Sequence, residues 1–239
     1  MPHRTLSIKE VAQYLHLAPS DIEALLKERA IPFERQGERV VFRLTEIEAW
    51  ASQRILNLPS KGLAAYHGKT STKVKEFSPD AALMPQLLTA DRINAEMLSK
   101  TRASVIRDMV DMAEKTDLLS DRADLIRMIE EREQLCSTAL PGGLALMHPR
   151  SHDPYMFTES FMILGRTVQP IHFGAQDGSP TDLFFLVCCQ DDRIHLHCLA
   201  RLCTLCQETT LLGDLRNAAS SLAMLDALVK AEEPIIRRL

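Results

Sequence analysis

Pro141-Gly142-Gly143-Leu144-Ala145-Leu146-Met147-His148 is the stretch on which the reading of this chain turns. Two adjacent glycines mark a turn. Four apolar residues follow without a break, as in a short strand covered on both faces. The run ends on an imidazole. Sixteen residues upstream, Arg132 lies within Glu131-Arg132-Glu133. Downstream, His195-Leu196 leads into Leu199, Ala200 and Leu202, an apolar series at helical spacing.

Working outward, residues 102–115 predict a helix that turns Val105, Ile106, Met109, Val110 and Ala113 inward. A second helix is predicted from Ser120, burying Leu125, Ile126 and Ile129 and ending where it presents Arg132. Strand-like runs cover 144–147, 161–164 and 183–188, and helical patterns return over roughly 193–206 and 215–230. Helices interleaved with apolar strands predict a layered α/β domain.

The loop–strand–histidine segment, with Arg132 before it and His195 after it, resembles the IIA domain of the fructose/mannitol type of the bacterial sugar phosphotransferase system, including its nitrogen-regulatory branch. The resemblance implies a mixed sheet flanked by helices over residues 85–239. It implies that His148 carries a phosphoryl group and that Arg132 and His195 support it. It also implies a phosphorylated histidine-carrier protein as donor, and no cofactor. The chemistry suits the residue types. Imidazole is neutral near physiological pH, and its unprotonated nitrogen is a nucleophile. Charge on the equatorial oxygens in the transition state calls for nearby donors. Backbone N–H groups around Gly142 and Gly143, and the side chain of Arg150, are further candidate donors. The family usually places proline before the histidine. Here Met147 precedes it and Pro149 follows, which moves the backbone restriction to the other side.

Plainer readings stand beside these. His148 alone reads as a surface histidine at a strand end. A zinc site from His148, His152 and His195 lacks a carboxylate or thiolate to complete it. His197 points elsewhere on its helix. Of the six cysteines, Cys203 and Cys206 form a Cys-x-x-Cys pair with no second pair at suitable spacing. Buried reduced thiols are the expected state of Cys188, Cys189, Cys198, Cys203 and Cys206.

The N-terminal region has a different character. Ser7-Ile8-Lys9-Glu10, Ser20-Asp21-Ile22-Glu23 and Thr45-Glu46-Ile47-Glu48 each read as a capping box opening a short helix. The segment from Ile31 to Arg43, broken at Gln36-Gly37-Glu38, reads as a hairpin. Ile47, Trp50 and Ala51 are expected to close a small core. The order of parts resembles the excisionase/MerR-like winged helix-turn-helix, carried by Leu6-Ser7-Ile8-Lys9-Glu10-Val11-Ala12-Gln13-Tyr14-Leu15, Ile31-Pro32 and Ile47-Glu48-Ala49-Trp50. That resemblance implies duplex DNA as a partner, some members being protein-docking modules instead. Arg35, Arg39 and Arg43 on the hairpin and Lys27 on the second helix are the candidate phosphate contacts. A homodimer is expected, because one short module seldom supplies enough DNA affinity.

The division is therefore 1–57 for the winged module, 58–84 for a linker and 85–239 for the IIA-like domain. Residues 69–75 bring lysines into the linker, where solvation is the plainer role. The 239-residue chain has a net charge of −4 and 25% charged residues, so no strongly basic balance announces nucleic acid. No run of 18 apolar residues predicts a membrane span, and the N-terminus lacks an apolar signal core, so a cytoplasmic protein is expected. The combined expectation is a bacterial regulator coupling phosphorylation of a IIA histidine to DNA binding. The alternatives are a phosphocarrier serving a sugar permease, or an interaction module with a silent site.

Overall fold

The computed structural model describes residues 5–15, 17–59, 62, 63, 66, 82–150 and 155–237. The 69–75 lysines and His152 lie outside these residues.

The N-terminal module runs β1 (Thr5–Leu6), α1 (Ile8–Tyr14), α2 (Pro19–Lys27), β2 (Glu34–Gln36), β3 (Arg39–Arg43) and α3 (Leu44–Leu56). Ser7 and Glu10 form the expected capping box, the Ser7 amide donating to the Glu10 carboxylate at 2.7 Å. The other two boxes do not form. Helix α2 starts earlier, with Pro19 in its first turn and Asp21 accepting from the Ala18 amide at 3.0 Å. Proline's fixed φ and missing N–H suit a first turn, so Pro19 sets the start ahead of Ser20. Helix α3 follows β3 directly from Arg43, without a side-chain cap. Gly37, at φ +64°, turns the hairpin, and β1 adds a third strand against β3. Two residues are too few for a periodic signal, so the sequence does not announce β1. Ile47 and Ala51 close the small core, and the Trp50 indole donates to the Ala30 carbonyl at 2.7 Å.

The C-terminal region runs α4 (Met84–Leu87), β4 (Ile93–Met97), α5 (Arg102–Glu114), α6 (Arg122–Leu135), β5 (Ala139–Leu140), β6 (Leu144–Met147), β7 (Phe161–Ile171), β8 (Thr181–Cys188), α7 (Asp192–Glu208), α8 (Leu211–Asn217) and α9 (Ser221–Ile236). The sheet order is β4-β7-β8-β6-β5. Strand β4 is parallel to β7 and β6 is parallel to β8, while the β7–β8 and β5–β6 pairs are antiparallel. The sheet is mixed, as expected. Strand β4 is an addition to the expected strands, because Asn94 and Glu96 interrupt its apolar residues. The single helix read over 215–230 is two helices. The Arg166 guanidinium donates to the carbonyls of Leu215, Arg216 and Ala218, each at 2.8 Å, and so closes α8. Ser220 then caps α9.

Alternation along the strands splits the apolar residues between two layers. Ala145, Met147, Ile163, Phe184 and Leu186 face α5 and α6. Leu144, Leu146, Met162, Leu183 and Phe185 face the other way, in a cluster that takes in α7, α8, α9 and the core of the N-terminal module. The module is therefore packed onto one layer of the α/β domain and shares its core. A fully buried ion pair ties the same layer together, Arg201 on α7 reaching Glu232 on α9 at 2.7 Å. The Glu232 carboxylate also accepts from the amides of Leu83 and Met84, both at 2.9 Å, which fixes the start of α4.

Candidate functional site

Strand β6 ends at Met147, and His148 continues the parity of Leu144 and Leu146, toward the α7 layer. Its ring lies beside that of His195 in the first turns of α7, with centroids 4.7 Å apart and planes inclined by 51°. Arg132 reaches the pair from the last turn of α6, its Nε donating to His148 Nε2 at 3.0 Å. The three residues singled out from the sequence thus meet at one place. His148 and Arg132 are each 2% exposed and His195 is 1% exposed.

The hydrogen bonds define the state of the His148 ring. Nδ1 lies 2.9 Å from the Leu146 carbonyl oxygen. A carbonyl only accepts, so Nδ1 carries the proton. Arg132 Nε–H only donates, so Nε2 presents its lone pair. The ring is a neutral imidazole with a nucleophilic nitrogen facing a cation. Arg132 is fixed in turn by a bond from Nη1 to the Cys136 carbonyl at 2.8 Å. Burial pulls its guanidinium pKa down from the ordinary value, and the neighbouring Glu133 carboxylate partly offsets this. Glu133, also buried, is pushed up by desolvation and held back by Thr138 and Arg102. Arg102 donates to it at 2.7 Å.

Two other expected donors are elsewhere. Gly142 and Gly143, at φ +91° and +80°, form the turn at the opposite end of β6, roughly 16 Å from His148 at about 3.3 Å per residue. The Gly143 carbonyl accepts from the amides of Asp182 and Leu183, and a Cβ on Gly143 would come within 2.6 Å of the Arg216 guanidinium. These glycines build a turn and are too distant to meet a phosphoryl group on His148. Arg150 points to Glu131, at 3.9 Å. Its amide donates to the Met128 carbonyl at 3.2 Å. Pro149, which has no N–H, and Arg150 therefore leave no free backbone donor immediately after the histidine.

Sequence reasoning missed what lies across α7. Ser52 Oγ, on α3 of the N-terminal module, is 3.2 Å from His195 Nε2. Four residues earlier on α3, Glu48 is buried, and its carboxyl is pushed up to about 8 by desolvation first and by the Asp192 carboxylate second. Tyr14 of α1 hydrogen-bonds Asp192, and burial raises its phenol above the usual range. The sequence of α3 did not announce this, because Glu48 and Ser52 are polar and interrupt its apolar spacing. Its buried positions are Ile47, Glu48, Ala51, Ser52, Ile55 and Leu56, three adjacent pairs that make a stripe wider than a small module requires.

The chemistry of the remaining candidates follows from their surroundings. Both ring nitrogens of His148 are already engaged in the contacts above. Burial pushes the Cys206 thiol up to about 12 and Cys203 still further, away from the thiolate that a metal or redox site needs. His197 is buried in α7. On the N-terminal module Lys27, Arg35, Arg39 and Arg43 are all exposed. The register pairs Arg35 with Val40 and Gln36 with Arg39. By alternation Arg39 and Arg43 share one face of the hairpin and Arg35 takes the other. Arg43 bonds Glu34 at 2.5 Å.

Residues 86–231 match the family described as the phosphoenolpyruvate-dependent sugar phosphotransferase system, EIIA 2. The chain belongs to this family. Residues 5–55 match the helix-turn-helix domain family. A fructose-specific EIIABC component of the phosphotransferase system from Bacillus subtilis is 29% identical over 145 residues, which are 60% of this chain and 22% of that protein. The chain thus aligns with about a fifth of that relative's length. The IIA domain has the fold of nitrogen regulatory protein IIA-Ntr from Neisseria meningitidis, with a TM-score of 0.56 and 22% identity over 62% of this chain and 99% of that one. It also resembles the mannitol IIA enzyme of Escherichia coli solved with phosphorylated mannitol IIB, with a TM-score of 0.52 and 15% identity over 60% and 97%. Among the described residues no helix is long and apolar enough to cross a membrane.

Proposed function

We propose that the protein is a cytoplasmic regulator of the phosphotransferase system, in which His148 Nε2 accepts a phosphoryl group and the helix-turn-helix module acts on duplex DNA. The observation that carries this reading is the tautomer of His148. Its Nδ1 proton is committed to the Leu146 carbonyl and its Nε2 lone pair faces the Arg132 guanidinium at 3.0 Å. A nucleophilic nitrogen beside a buried cation is the arrangement a phosphoryl acceptor requires. In transfer, the P–N bond of the donor phosphohistidine breaks and its electron pair stays on the donor nitrogen, as Nε2 bonds to phosphorus. Arg132 then turns its donors from Nε2 to the phosphoryl oxygens, and His195 supplies a second donor.

The donor is a phosphorylated histidine-carrier protein. The deciding experiment supplies phosphoenolpyruvate, enzyme I and that carrier, then maps acid-labile label on the wild type and on His148→Gln. Label on His148 is expected, with none in the variant. Absence from the wild type, or retention in the variant, removes the reading. On the module side, Arg39 and Arg43 would meet phosphates from one hairpin face, with Lys27 and Arg35 as further cations and a homodimer supplying the second module.

Relay to a IIB partner is the second reading, favoured by the mannitol IIA enzyme being solved with phosphorylated IIB. A phosphorylated chain that passes label to IIB and ignores DNA would have that role.

A further inference from the structure

We propose that α3 of the helix-turn-helix module is a gate over the phosphoacceptor site, docked when His148 is unphosphorylated and displaced when it is phosphorylated. This rests on the functional reading above and deepens it.

The first observation is the Ser52 contact. His195 Nε2 lies 3.2 Å from Ser52 Oγ. While that bond exists, this nitrogen is not available to a phosphoryl oxygen. The second observation is burial. His148 and His195 are 2% and 1% exposed, yet transfer between two proteins needs the donor imidazole, phosphorus and acceptor nitrogen in line. With the pair covered to this degree, such an approach needs a rearrangement. Among the described residues, α3 is the element that bonds the site from the other domain.

The docked surface is built to let go. Glu48 and Ser52 are four apart on α3, and Asp192 and His195 are three apart on α7, so each pair shares a helix face. Glu48 Oε2 is buried and finds no hydrogen-bond partner among the described residues. An unsatisfied buried oxygen opposes docking. At the far end of the same contact a crevice of about 450 Å³ remains between Leu56, Leu58, Leu140, Leu144, Cys203 and Gln207. This contact combines an apolar seam with an unsatisfied polar atom and unfilled space.

Direction follows from what docking leaves uncovered. The outward residues of α2, Ser20, Glu23, Ala24 and Lys27, and the hairpin arginines are exposed in the docked state. Docking therefore closes the phosphoryl site and leaves the proposed DNA face open. Once His148 is phosphorylated, His195 turns to the phosphoryl oxygens and Ser52 loses its partner, so re-docking is opposed. The coupling is reciprocal. A ligand that binds the docked module better must slow phosphorylation, and one that binds the released module better must speed it.

The test uses the full chain with phosphoenolpyruvate, enzyme I and the histidine-carrier protein. Initial rates of His148 labelling are compared among wild type, Ser52→Ala and Ser52→Arg, and amide exchange across 44–56 is measured before and after phosphorylation. Ser52→Arg, which places a long cation in the contact, is expected to label several-fold faster, with Ser52→Ala between it and the wild type. Amides of α3 are expected to exchange faster in the phosphorylated wild type. Should Ser52→Arg fail to fold, the exchange measurement on wild type decides alone. Equal labelling rates, or labelled wild type with α3 protection unchanged, overturn the gate and leave the phosphoacceptor reading intact. No label on His148 in any of the three proteins overturns both.

Discussion

Two groups of cations among the described residues are organised in opposite ways. Arg132 and Arg201 are buried, Arg132 held against His148 and the Cys136 carbonyl and Arg201 against Glu232. Lys27, Arg35, Arg39 and Arg43 stand in solvent on the helix-turn-helix module. A buried guanidinium has shed its water during folding and acts at fixed geometry, where little screening intervenes. A solvated one acts through a counterion atmosphere and adapts to whatever phosphate it meets. The contrast separates a place suited to bond-making from a surface suited to weak, collective attraction, although the same residue type serves both.

The largest expected effect is at Arg201. Arg201→Ala would leave the Glu232 carboxylate buried without its ion pair, at a cost of ~3–5 kcal/mol. Urea unfolding should show that loss, and a change near zero would mean that Glu232 is satisfied by the Leu83 and Met84 amides alone. Next in size is Arg132→Ala. Loss of one pre-positioned donor should slow labelling of His148 by ~10²-fold, with the fold retained by circular dichroism. An unchanged rate would put Arg132 among the merely structural buried cations. Replacing Arg39 and Arg43 together should weaken DNA binding on all sequences alike, and flatten the salt dependence by about 0.9 in log–log slope for each phosphate no longer neutralised. Stability should move by no more than ~0.5 kcal/mol. A loss confined to one sequence would instead make the hairpin a reader of bases.

The smallest effect concerns pH. Burial first and the Asp192 carboxylate second raise the Glu48 carboxyl from 4.5 to about 8, so on the gate proposal, in which undocking exposes Glu48, the docked state binds the extra proton. The Glu48 contribution to docking is therefore complete below about 4.5 and is lost as pH rises through about 8. Asp192, Tyr14 and His195 face the same contact and set the background. Exchange protection of α3 should fall across that window in the wild type and change less in Glu48→Gln. Identical profiles would remove Glu48 from the docking balance.

Local periodicity made much of this architecture legible. Val105, Ile106, Met109, Val110 and Ala113 are all buried on α5, as their spacing predicts, and β6 occupies Leu144–Met147. Arg132, His148 and His195 are named through the resemblance to the IIA family, and their positions at a strand end and two helix ends fit it. What stayed hidden depends on partners distant in sequence. Thr45-Glu46-Ile47-Glu48 reads locally as a capping box, yet Glu48 is buried against α7 because a whole domain folds over it. Ser52 has no local signature at all. Met128 takes a buried place on α6, whereas Ile126, expected there, is only half-covered. That shift of two residues is decided by the neighbouring layer alone.

The proline after His148 has one more consequence. With Pro149 lacking an N–H and the Arg150 amide bonded to Met128, the backbone immediately beyond the histidine contributes nothing to holding a phosphoryl group. Backbone donors survive any substitution except proline, because every other residue carries one; side-chain donors do not. On the proposed reading, the capacity to be phosphorylated rests on the side chains of three residues, Arg132, His148 and His195. If that reading holds, a lineage carrying this chain stands a single base change in the His148 codon away from a silent copy with the same fold.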